Sequence, residues 1–370
     1  MGRRAAVLTL RAGALLLSAA AGLAAQQPPA PALDLHQPRH VRALYLDLLG
    51  RTPDRDELEL AQASTPQLLA RHLAGSAEFW EHWYEDELYY FLLIDNARPP
   101  ELSGADSLPG RLSQGSIGLR DAEREIVGSQ AFHRANPGND TFVTVVLEQL
   151  LGLNVQKETA LLAAGKRMYD GQPAVMFGEQ GNSQADVVSI AARQPAFLQR
   201  LVERQHQRLV GRPAAHQDVV AWSHALDDAS ADLPALAARW VTSPAYAARL
   251  GTLRPKTDAQ FIRGLFVDLT GRPPTRDELQ RLRGALSAMA DAGPLRSVIA
   301  RALIDEHEAD LPRRDGADIG ALVDESFRRY LGRDPGPDER ADFVKLCADP
   351  ACRPATIVQA VVTHWEYQYY

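Results

Sequence analysis

The residues best equipped for chemistry lie between Gly165 and Ser183, where Lys166, Arg167, Tyr169, Asp170 and Glu179 sit among four glycines and two methionines. An irregular insertion on a helical framework is where binding groups concentrate. Cations, carboxylates and a phenol together would suit a hydrolase or a carbohydrate-active enzyme. A second set is aromatic. Trp80, Trp83, Tyr84, Glu87, Leu88 and Phe91 fall on one helical face, with His82, Tyr89 and Tyr90 beside it. Such a face would serve as a sugar platform or a haem-facing wall, or as an ordinary packing surface, because aromatics dominate cores by area. The regular spacing favours packing. Asn96 to Gly118, rich in Pro, Gly and Ser, is a second irregular stretch able to shape the same surface.

Other chemistries find little support in the sequence. His72 and His82 are ten residues apart, and His307 sits in the charged cluster Asp305-Glu-His-Glu308, but there is no His-Glu-x-x-His pair for zinc. Nucleophile elbows, phosphate loops, dinucleotide fingerprints and Cys-x-x-Cys-His haem attachment are missing, so no cofactor or metal is expected. The adjacent carboxylates Glu85/Asp86 and Asp227/Asp228 point apart on a helix and do not form a catalytic pair. Cys347 and Cys352, the two cysteines of the chain, are spaced to close a small loop by a disulfide in an oxidising compartment, or to stand as two reduced thiols.

The elements that position these residues are set by a repeated phrase: an amphipathic run, Leu-Gly-Arg, a Pro-bearing turn and an acidic helix start. It occurs at Val41 to Leu58, Phe261 to Leu279 and Leu322 to Glu339, with weaker copies ending at Gly152 and Gly211. Gly50, Gly211, Gly271 and Gly332 stand where left-handed helix ends are expected. Thr275 with Glu278, and Asp54 with Glu57, form capping boxes for the next helix. Arginine follows the glycine at positions 51, 212, 272 and 333. These arginines would form either a ladder of anion sites or, as favoured here, local pairs with helix-end carbonyls, with Asp47 or Asp268, or with the Glu of the following helix. A second recurring knot reads Ser76-Ala-Glu-Phe79, Ser129-Gln-Ala-Phe132, Gln194-Pro-Ala-Phe197 and Ser243-Pro-Ala-Tyr246, its aromatic expected to plug the joint between units. The later glycines are separated by 59, 60 and 61 residues. The expected fold is all-α, an array of about six helical repeat units of roughly 60 residues, forming a compact or solenoid-like bundle.

Around this array, residues 1–25 read as a signal peptide: Arg3, Arg4 and Arg11, then the uncharged run Ala12 to Leu23, then small residues. Residues 26–38, rich in Gln, Pro and Ala, read as a flexible linker. Repeats then occupy 39–118, 119–250 and 251–370. Without the three leader arginines the formal net charge moves from −7 to −10, which disfavours nucleic acid as a partner. No stable membrane span is expected after cleavage.

Over roughly residues 40 to 100, the phrase Arg42 to Leu58 followed by Ser76-Ala-Glu-Phe-Trp-Glu-His-Trp83 resembles the cytochrome-associated domain of unknown function of planctomycete-type secreted proteins. More loosely, over most of the chain after residue 38, the unit is similar to secreted bacterial repeats related to phycobilisome linker domains. The resemblance implies an exported helical protein and carries over no catalytic residue. The expected function is therefore that of a non-enzymatic scaffold or protein-binding component of the cell envelope or a secreted assembly, periplasmic, outer-envelope associated or extracellular. Its partner would be a protein there, with polysaccharide as a further candidate, and Trp365 to Tyr370 reads as a docking tail. The alternatives are the hydrolase or carbohydrate-active enzyme with a site at 165–183, and an accessory to an envelope redox chain.

Overall fold

The computed structural model describes residues 31–92, 106–306, 318–349 and 352–370. The protein is mostly helical, 69% helix and 3% strand, with 20 α-helices among the described residues. The first are α1 (Pro38–Leu49), α2 (Arg55–Gln62), α3 (Pro66–Ala74) and α4 (Ala77–Leu92), then α5 (Leu108–Ser113), α6 (Leu119–Val127), α7 (Gln130–Ala135), α8 (Asn139–Val145) and α9 (Thr159–Tyr169). A hairpin of β1 (Ala174–Met176) and β2 (Glu179–Gly181) leads into α10 (Gln184–Arg193), α11 (Pro195–Val210), α12 (His216–Asp227), α13 (Leu233–Val241) and α14 (Pro244–Arg249). The remainder is α15 (Asp258–Thr270), α16 (Arg276–Ser287), α17 (Gly293–Glu306), α18 (Ile319–Ser326), α19 (Pro337–Leu346) and α20 (Pro354–Val362). No described helix is long and apolar enough to cross a membrane.

The repeated phrase folds the same way at its three full copies. Gly50 and Gly271 end α1 and α15, and Gly332 ends the π-helical turn Phe327–Leu331 that continues α18, at φ of 70° in each case, a conformation that costs glycine no Cβ clash. The arginine that follows then staples the turn. Arg51 reaches Glu57 through both terminal nitrogens at 2.6 and 2.7 Å, Arg272 reaches Glu278 at 3.0 and 3.0 Å, and Arg333 reaches Glu339 at 2.8 and 2.9 Å. Each glutamate also accepts the N-cap amide of its own helix, from Asp54, Thr275 and Gly336. One carboxylate thus caps the second helix and binds the arginine leaving the first. Asp47 and Asp268, weighed as partners for these arginines, bond elsewhere.

These staples give the fold an acid-sensitive term. Hydrogen bonds from the arginine, with the cap amide, hold Glu278 and Glu339 down to about 2. A carboxyl more acidic when folded stabilises fully above its unfolded pKa and loses that contribution as pH falls through the folded one. The urea midpoint of the native chain should therefore fall more steeply from about pH 4.5 to pH 2 than that of a Glu278→Gln/Glu339→Gln variant. Parallel curves would show that the staples add nothing.

The aromatic knots close the joints as their spacing suggests. Ser76, Ser129 and Ser243 each accept the amide of the aromatic three residues on, at 3.2 Å. Ser76 and Ser243 also donate to the carbonyl of the helix before, at 2.7 Å. Phe79, Phe132, Phe197 and Tyr246 are all buried. A further regularity follows: the residue six beyond the knot's first position covers a turn glycine. A Cβ on Gly50 would lie 2.7 Å from His82 Nδ1, one on Gly152 3.1 Å from Arg200 Cδ, and one on Gly211 2.9 Å from Arg249 Nε. At Gly50 the left-handed φ and the close ring act together, so Gly50→Ala should cost about 2 kcal/mol or more in chemical denaturation. An unchanged midpoint would mean that the turn tolerates both.

Burial divides into two apolar clusters, one spanning Leu33 to Leu250 and the other Phe261 to Tyr367. Leu33 and Leu35 belong to the first, so the part of the expected 26–38 linker that the structure describes is packed. The expected signal peptide at 1–25 lies outside the described residues. Between the clusters runs a clasp built on equivalent slots of two phrase copies. Asp47 on α1 accepts both Arg254 nitrogens at 2.7 Å and the hydroxyls of Tyr246 and Tyr370 at 2.8 and 3.0 Å. Asp268 on α15 accepts Arg42 of α1 at 2.9 and 2.8 Å and the Tyr367 hydroxyl at 2.8 Å. Residues 365–370 are therefore not a free docking tail. Arg254 and Tyr370 exchange backbone hydrogen bonds at 2.8 and 2.9 Å. Lys256 donates from its amide to Gln368 and from its ammonium to the Tyr367 carbonyl. Burial and the nearby Arg42 push that ammonium down to about 7.

Candidate functional site

The 165–183 segment is ordered, contrary to the expected irregular loop. It comprises the end of α9, the β1–β2 hairpin with Ala174 opposite Gly181, and Ser183, whose hydroxyl caps α10 by accepting from Asp186. Strand pairing was hidden because three-residue strands are too short to show alternation. Within the segment the polar groups bond locally and do not converge. Lys166 pairs with Asp140 at 2.9 Å, Arg167 donates to the Pro173 carbonyl, and Asp170 accepts from Asn139. Glu179 pairs with Arg193 at 2.5 Å, and the Tyr169 ring packs on Phe142 at 5.3 Å between centroids. Trp80 and Trp83 are core, packed edge to face at 5.7 Å, and neither indole presents a face to solvent. Of the Asn96 to Gly118 stretch, the described part contains α5. His307 lies outside the described residues. Cys347 and Cys352 are joined by a disulfide.

The structure instead brings charge together where α4 crosses α11 and α6. Arg204 of α11 donates to Glu87 of α4 at 2.6 Å and to Glu123 of α6 at 2.8 Å. Both carboxylates are 1% exposed. Gln205 adds a bond to Glu87 at 2.7 Å, and the guanidinium lies 4.2 Å above the Tyr90 ring. Burial, with the charge of Glu87 beside it, pushes Glu123 up to about 8 despite Arg204. Above this floor opens a cleft of about 780 Å³, walled by Asp86, Tyr89, Gln149, Arg200, Glu203 and Arg208 among others. Tyr90 donates to the Gln149 carbonyl at 3.1 Å and accepts from Arg200 at 3.3 Å, which ties the wall to the floor. Asp86 faces Arg208 at 3.0 Å while its neighbour Glu85 turns away to Arg263 at 2.7 Å.

A second cleft, of about 530 Å³, lies between α4 and the α15–α16 turn and is bordered by Arg51, Glu78, Glu81, His82 and Arg263. Burial and neighbouring Glu78 raise Glu81, and burial lowers His82. Arg51 is held by Glu57 and Glu78 and Arg263 by Glu85, so neither is free to bind an anion. Among the described residues no group of three or more His, Cys, Asp or Glu side chains is placed to hold a metal ion.

Arg204, Glu123 and Arg200 escaped notice in the sequence, although a signal for the first two was there. Arg204 lies in the apolar stripe Phe197-Leu201-Val202, and Glu123 sits between Leu119 and Ile126 at helical spacing. A charge inside an apolar stripe requires a buried partner. Compared with known protein families, curated proteins and solved structures, the chain matches none.

Proposed function

We propose that the protein is an exported, non-enzymatic helical repeat protein of about six units, acting as a scaffold or protein-binding component of the cell envelope or a secreted assembly. One observation carries the reading: the charged residues that recur with the phrase, Arg51, Arg272 and Arg333, each bind the glutamate of their own turn. A group that staples three of the four Gly-Arg turns, Arg212 having no glutamate six residues on, serves architecture, and arrays of this kind offer long surfaces to partners. The disulfide between Cys347 and Cys352 agrees with an oxidising compartment. The polar groups of the 165–183 segment are engaged with neighbours, and nothing in their arrangement favours the hydrolase reading.

The test is fractionation of cells producing the tagged chain from its own locus, with mass spectrometry of its N-terminus and native sizing of the envelope and extracellular fractions. Export with cleavage near residue 25, and a species larger than the monomer that persists through purification, is the expected result. A full-length chain confined to the cytoplasm, or an exported chain that is monomeric at native abundance, would sink the proposal.

A further inference from the structure

We infer that the cleft between α4 and α11 binds a neutral oligosaccharide or a segment of neutral polysaccharide. Its volume of about 780 Å³ falls within the range of small-ligand sites. Its formal charges cancel, Arg200, Arg204 and Arg208 standing against Asp86, Glu87 and Glu203. A phosphate or a cation is drawn by an excess of one sign. A sugar hydroxyl is at once donor and acceptor and is suited by the two interleaved.

The arrangement also has length. The three arginines repeat every fourth residue along one face of α11, a row of roughly 12 Å, which suits an extended ligand better than a compact ion. At the rim Tyr89 is 52% exposed, a flat apolar ring with a polar tip that can cover the C–H face of a sugar. Hydrogen-bonding capacity remains unspent there. Gln207 presents an exposed side-chain amide to the cleft, and in its wall Gln149 Oε1 and Arg200 Nε are buried without a hydrogen-bond partner. The floor is fixed in advance by Arg204 between its two carboxylates and above Tyr90, so little ordering is needed on binding. The site lies where α4 runs into the stretch in which the repeat phrase loses its Gly-Arg, at Tyr89 and beyond. The inference is independent of the scaffold reading, because saccharide affinity is measured on the purified chain without any protein partner.

The experiment is affinity electrophoresis of the purified chain in gels containing mixed-linkage β-glucan, xylan, galactomannan or pullulan, with an anionic polysaccharide in parallel. Retardation by at least one neutral polymer is expected. It should weaken about tenfold in Tyr89→Ala, weaken in Gln207→Ala, and persist in Tyr89→Phe and in Val175→Ala on the β1–β2 hairpin, which does not line the cleft. Tyr89 and Gln207 are exposed, so circular dichroism and melting of these variants should match the native chain. The inference is overturned if no neutral polymer retards the chain, if Tyr89→Ala leaves retardation unchanged, or if only the anionic polymer binds and salt abolishes it.

Discussion

Asp268→Ala should cost about 3–5 kcal/mol of stability, the range for removing one partner of a buried ion pair. Arg42 loses both bonds from its terminal nitrogens to the carboxylate while it stays buried, and the Tyr367 hydroxyl loses its acceptor in the same step. Arg42 is left with the Arg329 carbonyl at 2.6 Å, which cannot neutralise it. The cost comes from the stranded charge rather than from a large net value of the pair, and that distinction is measurable. Arg42→Leu/Asp268→Leu should recover most of the loss, because apolar groups of similar size need no partner. Denaturant unfolding of Arg42→Leu, Asp268→Leu and the double variant gives the coupling directly. Equal and additive losses would show that the two side chains do not act as a pair.

Arg204→Leu should be about as damaging at neutral pH, again about 3–5 kcal/mol, and should carry a pH signature that Asp268→Ala lacks. Two carboxylates, Glu87 and Glu123, then stand buried side by side with only Gln205 donating to them. Burial, with Glu87 beside it, already holds Glu123 up at about 8 against an ordinary value of 4.5, and the variant loses the one cation that opposes that rise. A group raised in the folded state contributes stability that is complete below its unfolded pKa and is lost as pH climbs through the folded one. The gap between variant and native chain should therefore narrow as pH is lowered toward about 4.5, where Glu123 enters the fold protonated. A gap independent of pH would mean that Arg204 matters for its packing against Tyr90 and Phe91 rather than for its charge.

The helices and their ends were legible in the sequence because they rest on local rules. Gly50, Gly271 and Gly332 stop helices where only a left-handed residue suits, and Glu57, Glu278 and Glu339 start the next by capping. The pairing of each turn arginine with that same glutamate was one of several readings open, and the six-residue spacing could have selected it, since it repeats unchanged in all three copies. What was not legible depends on contacts distant along the chain. Asp47 and Tyr370 are 323 residues apart, as are Arg42 and Asp268 by 226, and no periodicity reports such a meeting. The 165–183 segment misled for a different reason. Its glycines read as looseness, whereas Gly171 and Gly178 supply positive φ and Gly165 and Gly181 sit where a Cβ would meet Val143 and Asp186 at 2.5 and 2.6 Å. The cleft is half legible: Tyr89 and Tyr90 stand beside the aromatic face of α4, but nothing local in the sequence places the arginine row of α11 opposite them.

Equivalent slots of the repeat, Asp47 and Asp268, join the two apolar clusters through residues 365–370. Native-state hydrogen exchange tests this link most directly, because amides that open only together report one cooperative unit. The bonded amides of Lys256 and Tyr370 should exchange with the same opening free energy as those in the middle of α1 and α15, and Asp47→Ala and Asp268→Ala should lower all of them together. Exchange of Tyr370 and Lys256 at the rate of a fraying end, while α1 and α15 stay protected, would contradict it.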